Sequence, residues 1–198
     1  MLSKNIARLQ ELSRKPYFTL GDVAQNFGLQ PASARVLCSR YVRQGLLVRF
    51  KNNIHTTAWK WEGLTRQDLF KIANVLQVPS YISLMTALAY YDVTTQAQNN
   101  YQESVCLKRS IAYNVRESVF SYVKLQSRYY GDFIKKDGVF IATKEKAFLD
   151  AAYLFSFGKY KFDVDSLDMK KLELKKLKSL LKVYPEKTKE TVKRLCGI

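Results

Sequence analysis

The sequence contains few of the residues on which metal binding and nucleophilic catalysis depend. Its 198 residues include one histidine and three cysteines, and Cys38, Cys106 and Cys196 lie far apart. No pair of them has the spacing of a metal site, and an odd number does not suggest a disulfide framework. The phosphate-binding loop, the Gly-x-Ser-x-Gly motif and the Cys-x-x-Cys motif are missing from the sequence. We therefore predict a protein that has no metal or cofactor and is not an enzyme.

One catalytic alternative remains, because acidic residues and lysines alternate in the second half of the chain. Asp132, Asp137 and Asp150 occur near Lys135 and Lys144, and such a mixture could imitate a metal-dependent nuclease. That chemistry requires acids that hold metal ions together, with a lysine close by. The spacing here does not match strand-borne acid pairs well, so nuclease activity is the weaker interpretation.

Long apolar runs and acidic residues are also scarce. No run approaches the roughly 18 apolar residues that a membrane-spanning helix needs, and residues 1–5 are not followed by the apolar segment of a signal peptide. Lysine and arginine total 33 against 17 acidic residues, which gives a net charge of +16. Such a surplus usually has a polyanionic partner, either nucleic acid or an anionic membrane. We predict a cytoplasmic protein that binds nucleic acid.

Residues 1–62 carry 10 basic and 3 acidic residues and begin with the signals of two short helices. Pro16 ends the first helix. Thr19, followed by Asp22 three positions later, has the pattern of a capping box at the start of the second helix. Gly28 suits the left-handed residue that follows a helix. The apolar positions of the first helix recur at a spacing of three, at Ile6, Leu9 and Leu12.

A third helix is predicted from Gln30 to about Gln44, with Pro31 in its first turn, where proline is well tolerated. Its apolar positions cluster on one face, which we predict to be buried: Ala34, Leu37, Cys38 and Tyr41. The opposite face, which we predict to contact DNA, holds Ala32, Arg35, Val36, Ser39 and Arg43, with Ser33 and Arg40 on its flank.

This order of helices is the helix-turn-helix arrangement, in which the later helix enters the major groove of DNA. Arginine reads guanine edges there, and serine is a flexible donor or acceptor. The small apolar residues Ala32 and Val36 can meet thymine methyl groups. The alternative interpretation is that the basic helix face is only a solvated surface.

Two short strands follow the third helix, at residues 46–50 and 54–58. The asparagines between them tolerate the backbone angles of a tight hairpin turn. The hairpin is predicted to be a wing whose tip contacts phosphate or the minor groove through Arg49, Lys51, Asn52, Asn53 and His55. His55 is expected to be exposed, and metal binding or acid–base chemistry by this residue is the weaker alternative. Residues 1–62 are thus predicted to form a winged helix-turn-helix domain.

Residues 63–198 are predicted to form a second domain of mixed α and β structure. Helical patterns run over residues 63–76, from 83 to about 91 and from 142 to about 155. Between them, residues 103–140 are rich in β-branched and aromatic side chains, which favour strands. The whole chain is therefore predicted to be α+β, with an N-terminal winged helix-turn-helix domain and a mixed α/β C-terminal domain with terminal helices.

The last segment, from about residue 164, combines leucines at helical spacing with lysines between them. We predict a basic amphipathic helix that Pro185 interrupts, followed by a short final helix. Three interpretations of this helix are open. Its apolar face packs on the second domain, its lysines contact DNA or another acidic or nucleic-acid partner, or the helix lies on a membrane surface. We favour the first interpretation. The leucines are Leu167, Leu172, Leu174, Leu177, Leu180 and Leu181.

Two motifs of the second domain resemble those of a known family. The first is Pro79-Ser80-Tyr81-Ile82-Ser83-Leu84, followed by Ala87-Leu88 and Tyr91, and the second is Ala142-Thr143-Lys144-Glu145-Lys146-Ala147-Phe148-Leu149-Asp150. With residues 163–177, they resemble the AbiEi antitoxins of type IV toxin–antitoxin (abortive infection) systems, which usually have proline in place of Lys144. Core packing alone is an alternative explanation of these motifs. The motif residues of interest are Pro79, Ser80, Tyr81, Ser83, Lys144, Glu145 and Lys146.

The resemblance implies an antitoxin that is also a transcriptional autorepressor. Such proteins have a winged-helix domain that binds repeats in their own promoter and represses the operon. Their C-terminal domain counters a toxin resembling nucleotidyltransferases, and the pair limits phage spread by halting growth of the infected cell. Direct complex formation between the two proteins is not typical of this type.

The partners expected from this resemblance are double-stranded promoter DNA and, functionally, the toxin. Inverted repeats in the promoter would suit a protein that is a monomer in solution or paired on DNA. Two alternatives stay open. One is a stand-alone winged-helix regulator whose second domain senses a ligand or a protein, and the other is an RNA-binding accessory protein.

Overall fold

The computed structural model describes residues 2–96 and 98–197, and its contacts divide the chain into two compact units. The first unit is Met1–Leu76 together with Tyr113–Glu117, and the second is Gln77–Ala112 together with Ser118–Ile198. Helices and two β-sheets make up the chain, so its α+β class is confirmed. The first unit continues past residue 62, where the sequence placed the domain boundary.

Three helices and three strands make up the first part of the first unit. Their order is α1 (Leu2–Leu12), β1 (Phe18–Thr19), α2 (Leu20–Phe27), α3 (Pro31–Arg43), β2 (Leu47–Lys51) and β3 (Ile54–Thr57). The strands pair antiparallel in the order β1-β3-β2, so β3 is the central strand. The three helices and the two strands of the hairpin were predicted from the sequence, within a few residues at either end.

Local hydrogen bonds explain where α2 begins and ends. The Thr19 hydroxyl accepts from the Asp22 N–H at 3.1 Å, and the Asp22 carboxylate accepts from the Thr19 N–H at 2.7 Å, which completes the predicted capping box. Gly28 ends the helix at φ 61°, and the N–H of Leu29 donates to the Ala24 carbonyl at 2.9 Å. This left-handed glycine closes the helix and turns the chain toward α3.

Apolar side chains from α1, α2, α3 and the strands form the core of the first unit. The predicted buried stripe of α3 is confirmed, because all of its members lie in this core. Burying an aliphatic or aromatic side chain of this kind contributes about 1.5–3 kcal/mol, which fixes the rotation of α3 about its axis. The core includes Leu9, Phe18, Val23, Phe27, Ala34, Leu37, Cys38, Tyr41 and Leu47.

The first unit extends beyond the wing through two further helices, α4 (Ala58–Glu62) and α5 (Arg66–Leu76). Trp61 of α4 is buried, and its ring centroid lies 5.6 Å from that of Phe50. The Trp61 indole N–H donates to the Glu117 carboxylate at 3.0 Å. Residues 113–117 therefore belong to the first unit although the chain reaches them much later.

A six-stranded mixed sheet lies at the centre of the second unit, and its strand order is β6-β7-β5-β4-β9-β8. Residues 113–115 of β6 belong to the first unit. Strands β5 and β7 are parallel, as are β4 and β9, whereas the β4–β5 and β8–β9 pairs are antiparallel. The elements are β4 (Ser80–Ile82), α6 (Leu84–Tyr90), β5 (Tyr101–Cys106), β6 (Ile111–Val115), β7 (Ser118–Lys124), β8 (Phe133–Lys136), β9 (Val139–Ala142), α7 (Lys144–Ser156), α8 (Leu174–Leu181) and α9 (Glu186–Cys196).

The tail forms shorter helices than the sequence predicted. Leu167 pairs with Thr94 in an isolated β-bridge, and the Asp168 N–H donates to the Val93 carbonyl at 2.7 Å, so the chain is not helical at these two residues, where a helix was expected. Leu177 of α8 is buried, and both α8 and α9 pack on α7. Packing of the apolar face on the second unit is therefore confirmed for Leu167, Leu172, Leu177 and Leu181, whereas Leu174 is 44% exposed. Among residues 2–96 and 98–197, no helix combines the length and apolar character needed to cross a membrane.

Candidate nucleic-acid interface

Helix α3 presents its basic side to solvent. The buried stripe faces the core, so the opposite face projects outward, and its apolar member Val36 is 67% exposed. An apolar side chain so exposed on an otherwise polar face is available to contact a methyl group of a base. Every residue that the sequence assigned to this face is exposed: Ala32, Ser33, Arg35, Val36, Ser39, Arg40 and Arg43.

The basic side of α3 lacks compensating carboxylates. The ion pairs in the first unit are Lys15–Asp22, Lys60–Asp68 and Arg116–Glu62. None of the ion pairs found among the described residues includes an arginine of α3 or Arg49. These guanidinium groups therefore keep their donors available for an external acceptor such as a phosphate or a guanine edge.

The wing is a short hairpin that is held against the start of α2. Its turn residues, Asn52 and Asn53, are exposed, as is Arg49 on β2. The Asn53 side-chain oxygen accepts from the Leu20 N–H at 3.1 Å, which fixes the turn relative to the first residue of α2. The polar groups of the wing thus have a defined position beside the helices.

A cleft of about 290 Å³ separates α3 from the wing. Arg35 and Ser39 line it from α3, and Arg49 and the two asparagines of the turn line it from the wing. The structure therefore brings these residues of the predicted interface together around one concave surface. The remaining members of the α3 face lie outside this cleft.

His55 is not the exposed wing residue that the sequence predicted. Its side chain is 2% exposed, and its ring stacks on Phe18 with centroids 6.4 Å apart. The cause is its place in β3, the central strand, all of whose residues are buried. Burial, and then the charge of Arg49, lower the pKa of His55 from 6.5 to about 4. The imidazole is therefore neutral at physiological pH.

Lys51 contacts other residues of the first unit. Its backbone is on the wing and the residue is exposed, but its ammonium group donates to the Leu76 carbonyl at 3.0 Å. The same group lies 5.7 Å from the centre of the Tyr113 ring. The pairing of β2 with β3 is irregular between Arg49 and Lys51, which separates these two side chains. Lys51 is thus engaged within the first unit, away from the cleft.

Most of the motif residues of the second unit are buried. Ser80, Tyr81 and Ser83 are enclosed around β4, and Glu145 and Lys146 are enclosed on α7, whereas Lys144 is half-buried and Pro79 is exposed. How these residues pair could not be predicted from the sequence, because their partners are distant along the chain. These positions belong to the interior of the unit.

Hydrogen bonds join the two motifs. The Tyr81 hydroxyl donates to the Asp150 carboxylate at 3.0 Å, and the Ser83 hydroxyl donates to it at 2.7 Å. Lys146 forms an ion pair with the same carboxylate, and its ammonium group donates to the Tyr184 hydroxyl at 3.1 Å. Burial raises the pKa of Asp150, and the charge of Lys146 opposes this shift. This network connects β4, α7 and the tail.

The other motif residues hold the tail in place. The buried Glu145 carboxylate accepts from the Glu173 N–H at 3.1 Å and pairs with Lys176 at 3.2 Å. The Lys144 ammonium group donates to the Lys171 carbonyl, which also lies in the tail. In the described part of the chain, no group of three or more acidic, histidine or cysteine residues could hold a metal ion.

In the first unit, a hairpin follows the third helix, and the short strand between the first two helices pairs with that hairpin. This order of elements is that of a winged helix-turn-helix fold.

The chain matches no family model and no curated protein. It is similar to the RV2827C protein from Mycobacterium tuberculosis, with a TM-score of 0.62 and 12% sequence identity, over 96% of this chain and 74% of that one. Similarity at this identity shows a shared fold.

Proposed function

We propose that this protein is a DNA-binding transcriptional repressor that acts on its own operon, with α3 in the major groove and the wing turn on the backbone. The observation that carries the proposal is the exposed face of α3, where Arg35, Ser39 and Arg43 project together. Neither arginine is paired with a carboxylate of the residues that the structure describes. Arginine and serine are suited to base edges and phosphates. The net charge of +16 favours binding to a polyanion.

The test is a gel shift on the protein's own promoter with the double variant Arg35→Ala/Arg43→Ala. We expect loss of specific binding, and a salt dependence flatter by about 0.9 in slope for each phosphate contact removed. The matched control is Lys108→Ala/Arg109→Ala, which removes the same charge from exposed residues of the second unit. Unchanged binding by the first variant would reject the role of α3.

The second part of the proposal is an antitoxin role for the second unit, which acts against a nucleotidyltransferase-like toxin. It is supported by the resemblance of two sequence motifs to AbiEi antitoxins, and by the way Tyr81 and Ser83 of one motif bond to Asp150 of the other. Residues that build one interior network are expected to occur together in relatives that share the fold.

Co-expression tests the antitoxin role. A gene for a nucleotidyltransferase-like protein beside this one, when expressed alone, should arrest growth, and this chain should restore growth. The Arg35→Ala/Arg43→Ala variant should still restore growth, because its changes lie in the first unit. Failure of the wild-type chain to rescue growth would favour the stand-alone regulator.

A further inference from the structure

The cleft between α3 and the wing contains hydrogen-bond donors from both of its sides. Arg35 and Ser39 supply donors from the helix, and Arg49, Asn52 and Asn53 supply donors from the wing. The Asn53 side-chain oxygen is already bonded to the Leu20 N–H, so its amide nitrogen remains as the donor. Donors that converge from two rigid elements are suited to an acceptor with several oxygens.

The residues that line this cleft include two arginines and no carboxylate. Two guanidinium groups facing one space repel each other unless an anion lies between them. The volume of about 290 Å³ is close to the lower limit of about 300 Å³ for small-molecule sites. A single tetrahedral anion fits these properties better than a large organic ligand.

His55 is a buried titratable group that lines the cleft. It is 2% exposed, and its Nδ1 atom has no hydrogen-bond partner among the described residues. A buried polar atom without a partner costs free energy, and a bound ligand that supplies a partner removes that cost. In the strand pairing, His55 lies directly opposite Arg49, whose side chain lines the same cleft.

We propose that this cleft binds one phosphate group, which Arg35 and Arg49 hold from opposite sides above His55. The group belongs either to the backbone of DNA or to a phosphorylated small molecule, and only the first source rests on the proposed function. In this proposal Arg35 binds the phosphate group and Arg43 does not, because Arg35 lines the cleft whereas Arg43 lies outside it.

His55 provides a direct test because it is the one histidine in the sequence, so its imidazole gives a single NMR signal. The pH titration of this signal is measured in inorganic phosphate and in chloride at equal ionic strength. We expect phosphate to raise the pKa of His55 by about one unit, because a nearby anion favours the charged imidazole. The Arg49→Gln variant should lose this rise, and the Lys108→Gln/Arg109→Gln variant should keep it.

A promoter duplex separates the two sources of the phosphate group. A shift of the His55 signal that saturates with the duplex assigns the cleft to the DNA backbone. A shift with inorganic phosphate but none with a duplex that does bind assigns it to a free phosphorylated ligand. An amide spectrum of Arg49→Gln that matches the wild type shows that its fold is intact.

Failure of this proposal is distinct from failure of the proposed function. If neither phosphate nor the bound duplex moves the His55 signal, the cleft proposal is overturned while DNA binding by α3 stands. If phosphate moves the signal and no promoter DNA binds, the cleft proposal stands and the repressor function fails. Retention of the phosphate-induced shift in Arg49→Gln would also overturn the proposed site.

Discussion

Lys146 and Asp150 lie one turn apart on α7 and form an ion pair that is almost fully enclosed, with side-chain exposures of 2% and 0%. Removing two charges from water is costly, and a buried pair persists only when neighbouring groups satisfy the remaining hydrogen bonds. Tyr81, Ser83 and Tyr184 supply those bonds here. The pair is therefore part of a network that joins β4, α7 and the tail.

The first prediction concerns this network. Asp150→Asn keeps the size of the side chain but leaves the Lys146 ammonium group buried without its counter-charge. We expect a loss of about 3 kcal/mol in the free energy of unfolding, measured by urea denaturation. Asp165→Asn, at an exposed position, is the control and should change stability by less than about 0.5 kcal/mol. Equal stability of the two variants would contradict the structural importance of the buried pair.

The second prediction concerns pH. The pKa of His55 is about 4 in the folded protein and near 6.5 in the unfolded chain, so the unfolded chain binds more protons between these values. The contribution of His55 to stability is thus complete above 6.5 and is lost as the pH falls toward the folded pKa. From about pH 7.5 to about pH 5, we expect the free energy of unfolding to fall by about 2 kcal/mol.

The His55→Gln variant isolates this effect, because glutamine does not titrate. Its free energy of unfolding should change with pH by about 2 kcal/mol less than that of the wild type over the same interval. Because no other histidine is present, a wild-type curve that is flat over this interval would show that His55 is accessible to solvent.

The third prediction compares two basic residues of the wing. Arg49 lines the cleft, whereas the Lys51 ammonium group bonds to the Leu76 carbonyl. Under the proposed function, Arg49→Gln should weaken promoter binding and reduce its salt slope by about 0.9. Lys51→Gln removes the same charge, but its main effect should be to lower the free energy of unfolding by about 1 kcal/mol, because it removes the hydrogen bond to Leu76. If the two variants lost equal affinity, overall charge would explain binding better than position.

The fourth prediction concerns the turn between α2 and α3. Gly28 has φ 61°, and a Cβ atom added there would meet no atom within 4 Å, so the cost of Gly28→Ala is backbone strain alone. We expect a loss of about 1 kcal/mol in the free energy of unfolding. Gly63→Ala, at φ −108° in the same unit, is the control and should be nearly neutral. A loss of the same size at Gly63 would argue against a strain effect.

Local patterns allowed the first three helices, α1, α2 and α3, to be predicted. The capping box at Thr19, the glycine at position 28 and the 100° periodicity of α3 each depend on residues within one or two turns. Such signals determine where a helix begins, where it ends and which side is buried. The exposed face of α3 could therefore be assigned from the sequence before its surroundings were known.

The features that the sequence did not reveal depend on partners that are distant in the sequence. The exposure of His55 depends on β1 and β2 flanking its strand, and the Lys51 ammonium group is fixed by a carbonyl 25 residues away. Tyr81 meets Asp150 across 69 residues. Periodicity within a segment contains no information on these pairings, so the motif could be recognised while its internal bonds could not.

The discontinuity of the first unit limits how the protein can be divided. A fragment that stops at Leu76 lacks Glu117, the acceptor of the Trp61 indole, and Arg116, which pairs with Glu62 at 2.7 Å. Such a fragment would leave the Trp61 indole N–H without its acceptor. If such a fragment failed to bind DNA, the cause could be the loss of the second unit or damage to the first. Point variants in the intact chain avoid this ambiguity.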